Sequence, residues 1–168
     1  MKTLTTCALV LLLSTAVAVA GEKKEPGISV SFDSDDARTQ LAPRHAVRDA
    51  RVAVRTRNGA AVLLLTGDVV AVQLSDTMLA TLETKEDAGL LEEMLVAGVR
   101  AAMKKSVEYP IAHIRSAEIR NGGLVLTSDE GKPVFSQVTV NGNNVTRDIT
   151  AGDAARFVNA FRAAKRGR

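Results

Sequence analysis

Arg51, Arg55 and Arg57, in the segment RVAVRTRNG, are the side chains whose types and spacing best suit them to bind something. Strand periodicity puts Val52 and Val54 on one face and Arg51, Arg55 and Arg57 on the other. A guanidinium presents a planar fork of donors that matches a carboxylate or phosphate, so the chemistry implied is recognition of an anion. The same pattern also serves a plainer purpose. Arginines on a solvated edge keep a strand from pairing with another chain.

Other candidates are weaker. Asp33, Asp35 and Asp36 follow a short alternating run, and clustered carboxylates can hold a hard cation. The glycine and distal glutamate of a calcium loop are missing at the required spacing, so these acids read as a solvated turn or a helix cap before Ala37. His45 and His113 have no partner at helical spacing for a metal, and no Ser-His-Asp or Cys-His order is apparent. Neither GxGxxG nor GxxxxGK occurs. No catalytic residue, metal ligand or cofactor is therefore assigned, and the protein is expected not to be an enzyme. Arg162, Lys165, Arg166 and Arg168 form a basic end with no apolar flank, the pattern of a charged terminus. Asn144-Val145-Thr146 is a formal glycosylation sequon, relevant only to a eukaryotic secretory pathway.

The totals exclude some partners. The formal net charge is +3 over 168 residues, and aromatics make up 3% with no Trp. A nucleic-acid binder would show a dense basic stripe and stacking rings, so nucleic acid is not an expected partner. Residues 1–20 carry Lys2, an apolar centre at 8–13 and Ala18-Val19-Ala20, which predicts a signal peptide cut before Gly21. The apolar run is short for a membrane span and broken by Ser14 and Thr15. Cleavage removes Cys7, the only cysteine, so the mature chain relies on packing without disulfides. A periplasmic or secreted bacterial protein is expected, with no transmembrane span after cleavage.

The elements that must position these residues follow from the patterning. Residues 21–27 read as a flexible leader, 28–165 as one domain and 166–168 as a basic tail. Residues 28–32 alternate as a strand. The stretch 51–74 holds three strands separated by Asn58-Gly59 and Gly67-Asp68. Asn58-Gly59 suits a type I′ turn, and the continuous apolar run 60–65 suits a strand buried on both faces. A helix is predicted over 85–107, with Leu91, Met94, Leu95 and Met103 on its apolar stripe. Further strands are predicted at 111–120, 124–127, 134–140 and 144–149. A last helix begins after the Thr150 cap and buries Ala154, Phe157, Val158 and Phe161.

The fold class expected is α+β: strand meander, long helix, second meander and C-terminal helix, with an antiparallel sheet strongly bent or closed into a small partial barrel. Two functions fit. One is a non-catalytic envelope protein that binds another protein or an anionic surface through Arg51, Arg55 and Arg57. The other is a carrier holding a small apolar or lipid ligand between the sheet and the 85–107 helix, against Leu91, Met94, Leu95 and Met103.

Overall fold

The computed structural model describes residues 30–31, 37–83 and 103–167. The expectations for the signal peptide, the leader, Asp33, Asp35, Asp36, Leu91, Met94 and Leu95 lie outside the described residues. In chain order the elements are β1 (Val30–Ser31), β2 (Gln40–Pro43), β3 (Val52–Arg55), β4 (Ala61–Leu65), β5 (Val69–Leu74), α1 (Asp76–Glu83), β6 (Lys105–Pro110), β7 (Ile114–Arg120), β8 (Gly123–Ser128), β9 (Pro133–Val134), β10 (Thr139–Val140), β11 (Asn143–Asn144) and α2 (Ala151–Arg166). The class is α+β, and every strand pairing among the described residues is antiparallel.

The expected meander of 51–74 forms β3, β4 and β5, which pair in sequence order. They belong to a five-stranded sheet of order β2-β6-β5-β4-β3. Val52, Val54, Leu63, Leu65, Val70 and Val72 project into the main core, where Val107 and Tyr109 of β6 join them. All five residues of β4 are buried, as the unbroken apolar run requires. Its second face is covered by the chain at 44–50. His45 and Gln73 exchange two hydrogen bonds of 3.0 Å, His45 N–H to Gln73 Oε1 and Gln73 Nε2 to the His45 carbonyl. Arg44 Nη1 donates to the Leu74 carbonyl at 2.7 Å. Beneath this strap Val62, Leu64 and Ala71 form a small second cluster.

Three smaller expectations are corrected. The helix predicted to run to 107 does not, because Lys105–Pro110 is β6, an inner strand of the sheet. Val107 and Tyr109 alternate onto the core face while Ser106 and Glu108 take the other, a period-two pattern that overrides the helical one. The run 134–140 is interrupted because Phe135 adopts a φ of 60°, so only Pro133–Val134 and Thr139–Val140 are strands. Residues 145–149 coil instead of forming the predicted strand, with Val145 and Ile149 still buried.

Turn chemistry also differs in detail. Asn58 does not have positive φ, so its hairpin is not type I′. Its Oδ1 accepts instead from Ala60 N–H at 2.9 Å and Thr56 Oγ1 at 2.7 Å. Asn121-Gly122 and Asn141-Gly142 do have positive φ at both positions, as a type I′ turn needs.

Among the described residues no sheet closes or curls strongly, so the bent-sheet or barrel expectation is corrected to open sheets. β7-β8-β9 and β1-β10-β11 are separate three-stranded sheets. The chain turns through a short 3-10 segment, Ile111–His113, directly after β6, which divides the ladder between β6 and β7. At the opposite edge of the large sheet, Arg156 of α2 donates to the Ala53 carbonyl of β3 at 2.9 Å, so a helix and not a strand lies there. α2 packs on β3 and β4 of the large sheet and on β7 and β8 of a small one, and so joins the two. Its buried face is Ala154, Phe157, Val158, Phe161 and Ala164.

Candidate anion-binding groove

The C-terminal end of α2 and the edge strand β7 together place cations around one groove. α2 starts where the Thr150 hydroxyl accepts from Asp153 N–H at 3.1 Å, a cap that fixes the phase of the whole helix. With Phe161 and Ala164 committed to the core, Arg162, Lys165 and Arg166 fall around the last turns. Cations there also meet the negative end of the helix dipole. β7 lies at the edge of its sheet. Its register with β8 shifts between Ile114 and Ser116, an irregularity that leaves Arg115 exposed between buried Ile114 and half-buried Ser116.

The groove has a volume of about 390 Å³. Ala117 and Phe161, both buried, contribute apolar floor, and Arg115, Arg162, Lys165 and Arg166 contribute a cationic rim. A second groove of about 520 Å³ shares Arg115, Ser116 and Glu118 with the first, and extends over Arg120, Val125 and Thr127. Among the described residues, no carboxylate pairs with Arg115, Arg162 or Arg166.

One carboxylate already stands in this cationic field. Glu118 Oε2 accepts from Arg120 Nε at 2.9 Å and Nη2 at 2.7 Å. Those bonds and the Arg120 charge, with a smaller contribution from Arg162, hold Glu118 below the usual carboxylate range. The arrangement suits carboxylates or phosphates carried on a larger partner: several donors on a rim, an apolar floor and an open mouth.

The residues singled out from sequence are placed elsewhere. Arg51 and Arg55 are exposed at β3. Arg57 is engaged, donating from Nε to the Ile149 carbonyl at 3.0 Å and from its backbone N–H to the Asp148 carbonyl at 2.6 Å. It therefore ties the β3–β4 hairpin to the start of α2. Arg57 lies beside the start of α2, and none of the three arginines lines the groove at the other end of that helix. Met103, the one described residue of the apolar-ligand set, is half-buried and packs on the main core.

Two polar constellations hold the fold together. Glu108 Oε1 accepts from Ser106 Oγ at 2.8 Å and lies 2.6 Å from His45 Nε2. Ser106 is fully buried, and its Oγ lies within hydrogen-bond distance of Glu108 Oε1 and of the Pro43 carbonyl at 3.1 Å, so it faces the carboxylate and the β2 backbone rather than the His45 ring. Its effect is to lock β6 to the strap at 44–50. On the surface, Asp129 meets His113 Nδ1 at 3.0 Å and the Arg38 guanidinium, which also reaches Glu130 at 2.8 Å. The His113 bond first, then Arg38, holds the Asp129 carboxyl below its ordinary range. Among the described residues, no group of three or more His, Cys, Asp or Glu converges on a metal position.

Arg115 and Arg120 went unnoticed in the sequence. The basic end was visible, but its meeting with β7 depends on a local bulge and on how far α2 reaches across the sheet, neither of which leaves a sequence signal. Comparison with protein-family models, curated proteins and solved structures finds no match for this chain.

Proposed function

We propose that this protein is a non-catalytic module of the bacterial cell envelope, exported to the periplasm or beyond, that binds an acidic partner in the groove between β7 and the end of α2. The observation that supports this reading is the convergence of Arg115, Arg162, Lys165 and Arg166 around an apolar floor. Among the described residues these cations form no ion pair with a carboxylate, and such cations about a concave surface favour an anionic partner and speed its encounter. Export supplies the compartment, since the first twenty residues follow the signal-peptide pattern. Arg51 and Arg55 remain a separate exposed pair that extends the positive surface without entering the groove.

The test is fluorescence anisotropy of a labelled glutamate-rich peptide with the mature chain and with the variant Arg162→Ser/Lys165→Ser/Arg166→Ser. The intact chain binds, and its affinity falls as salt is raised through a Debye length of about 10 Å at 0.1 M. The variant binds roughly tenfold or more weakly, because charge-assisted contacts each contribute on the order of 1 kcal/mol. Equal affinity of the two proteins would remove the groove from the account.

A further inference from the structure

We infer that the partner enters this groove as an extended acidic peptide that adds a strand to the free edge of β7, an inference that rests on the anionic-partner reading above. Alternate residues of a strand point to opposite faces, so a groove lying on one face would be lined by every second residue. This groove is lined by four consecutive residues of β7, Arg115, Ser116, Ala117 and Glu118. It therefore runs along the strand's edge, where the backbone itself forms part of the wall. Among the described residues β7 pairs only with β8, and no backbone group of 115–120 bonds outward to another segment. The edge thus offers a row of peptide donors and acceptors to an incoming chain.

The dimensions and the charge both fit such a chain. Four strand residues extend roughly 13 Å, at about 3.3 Å each, which matches four residues of an added strand. One row of the incoming side chains faces α2, where Arg162, Arg166 and Lys165, whose Nζ lies 3.5 Å from the Ala112 carbonyl, line the groove. The other row faces the neighbouring groove with Arg115 and Arg120. A second copy of β7 is a poor occupant, because it would bring Arg115 and Arg120 against the same cations. Glu118 acts as an internal competitor, since it already occupies Arg120 and stands in the field of Arg162.

The test uses the mature chain and a labelled peptide of alternating Glu and Thr, whose charged row fixes which amides face β7. Two analogues carry backbone N-methyl groups on one or the other set of alternate amides, with charge unchanged. Strand addition predicts that one analogue binds roughly tenfold or more weakly than the parent while the other binds like it, because only one set of amides bonds the edge. It also predicts that Glu118→Gln tightens the parent peptide severalfold, and that β7 amides gain protection from hydrogen exchange in the complex. If both analogues bind like the parent, strand addition is overturned while the anionic-partner reading stands. If vesicles of phosphatidylglycerol bind and the peptide does not, the occupant is a lipid surface and the inference falls. If neither probe binds, both readings fall.

Discussion

Asn144 does more for the second half of the chain than its place in a sequon suggests. Its Nδ2 lies within hydrogen-bond distance of the carbonyls of Phe135, Ser136 and Val138, at 3.2, 2.8 and 3.3 Å. Its Oδ1 accepts from the backbone N–H groups of Thr146 and Arg147 and from the Thr146 hydroxyl. One side chain thus gathers the turn around Phe135 and the turn after β11. Asn144→Asp keeps the size and the acceptor but faces a second oxygen toward those carbonyls. It is expected to cost about 2–3 kcal/mol, seen as a lower urea midpoint, and a midpoint equal to that of the unaltered protein would remove this role. The sequence displays Asn-Val-Thr plainly, yet the partners of Asn144 come from up to nine residues away and depend on the backbone at Phe135.

Asp129 carries a prediction of a different kind. A carboxylate whose native pKa lies below its unfolded value adds stability above the unfolded value and loses it as pH falls through the native one. With His113 and Arg38 lowering Asp129 below its ordinary 3.8, its contribution is complete near neutral pH and declines as pH falls through 3.8 and below. Urea midpoints measured from neutral pH into that range are expected to fall less steeply for Asp129→Asn than for the unaltered protein. Parallel curves would show that the His113 and Arg38 contacts contribute nothing to folding.

At the scale of elements, α2 was the most legible. Thr150 as cap, Asp153 three residues on, and Ala154, Phe157, Val158 and Phe161 at helical spacing fix its start and its buried face, and all four are buried. Thr150→Ala is expected to cost about 1 kcal/mol, measured by urea unfolding. No loss would mean that the tie from Arg57 to Ile149 sets the start of the helix without the cap. β3, β4 and β5 were equally legible, because alternation in one strand and a continuous apolar run in the next leave few other solutions.

β6 was not legible. Its approach through Ala101, Ala102 and Met103 continues a helical stripe, and the choice of strand is made by partners distant in sequence, Val72 opposite Val107 and Val70 opposite Tyr109. α1 was overlooked although its signal is local. Ser75 begins it, its hydroxyl accepting from Met78 N–H at 3.2 Å, and Met78 and Leu79 then pack on the core. The serine before Asp76-Thr77 is the local sign of a helix start.

For the molecule as a whole, the decisive feature is one helix shared by two sheets. α2 meets the edge of β3 through Arg156 and reaches β7 and β8 on the other sheet. The groove at the helix end is lined by Arg162, Lys165 and Arg166, and the exposed arginines at β3 are not part of its lining. Sequence reasoning recognised both positive segments, because arginine at alternate strand positions and at a helix terminus is visible in one dimension. It placed the β3 arginines first and read the basic end as a charged terminus. Arg57 turns inward to Ile149, while Arg115 is turned outward by a register shift, and both outcomes depend on tertiary neighbours. The barrel failed for a related reason: hairpin-length connections prescribe antiparallel pairing but not whether successive hairpins join one sheet, and here the short turn after Pro110 divides them.

The most direct test of the central claim is a two-dimensional NMR titration of the isotope-labelled mature chain with a glutamate-rich peptide at moderate salt. The groove account predicts that the largest amide shift changes fall at 115–120 and 161–166, saturate together, and vanish in Arg162→Ser/Lys165→Ser/Arg166→Ser. Changes centred on Arg51, Arg55 and Arg57, with residues 115–120 and 161–166 unmoved, would contradict it and return the binding surface to the β3 edge.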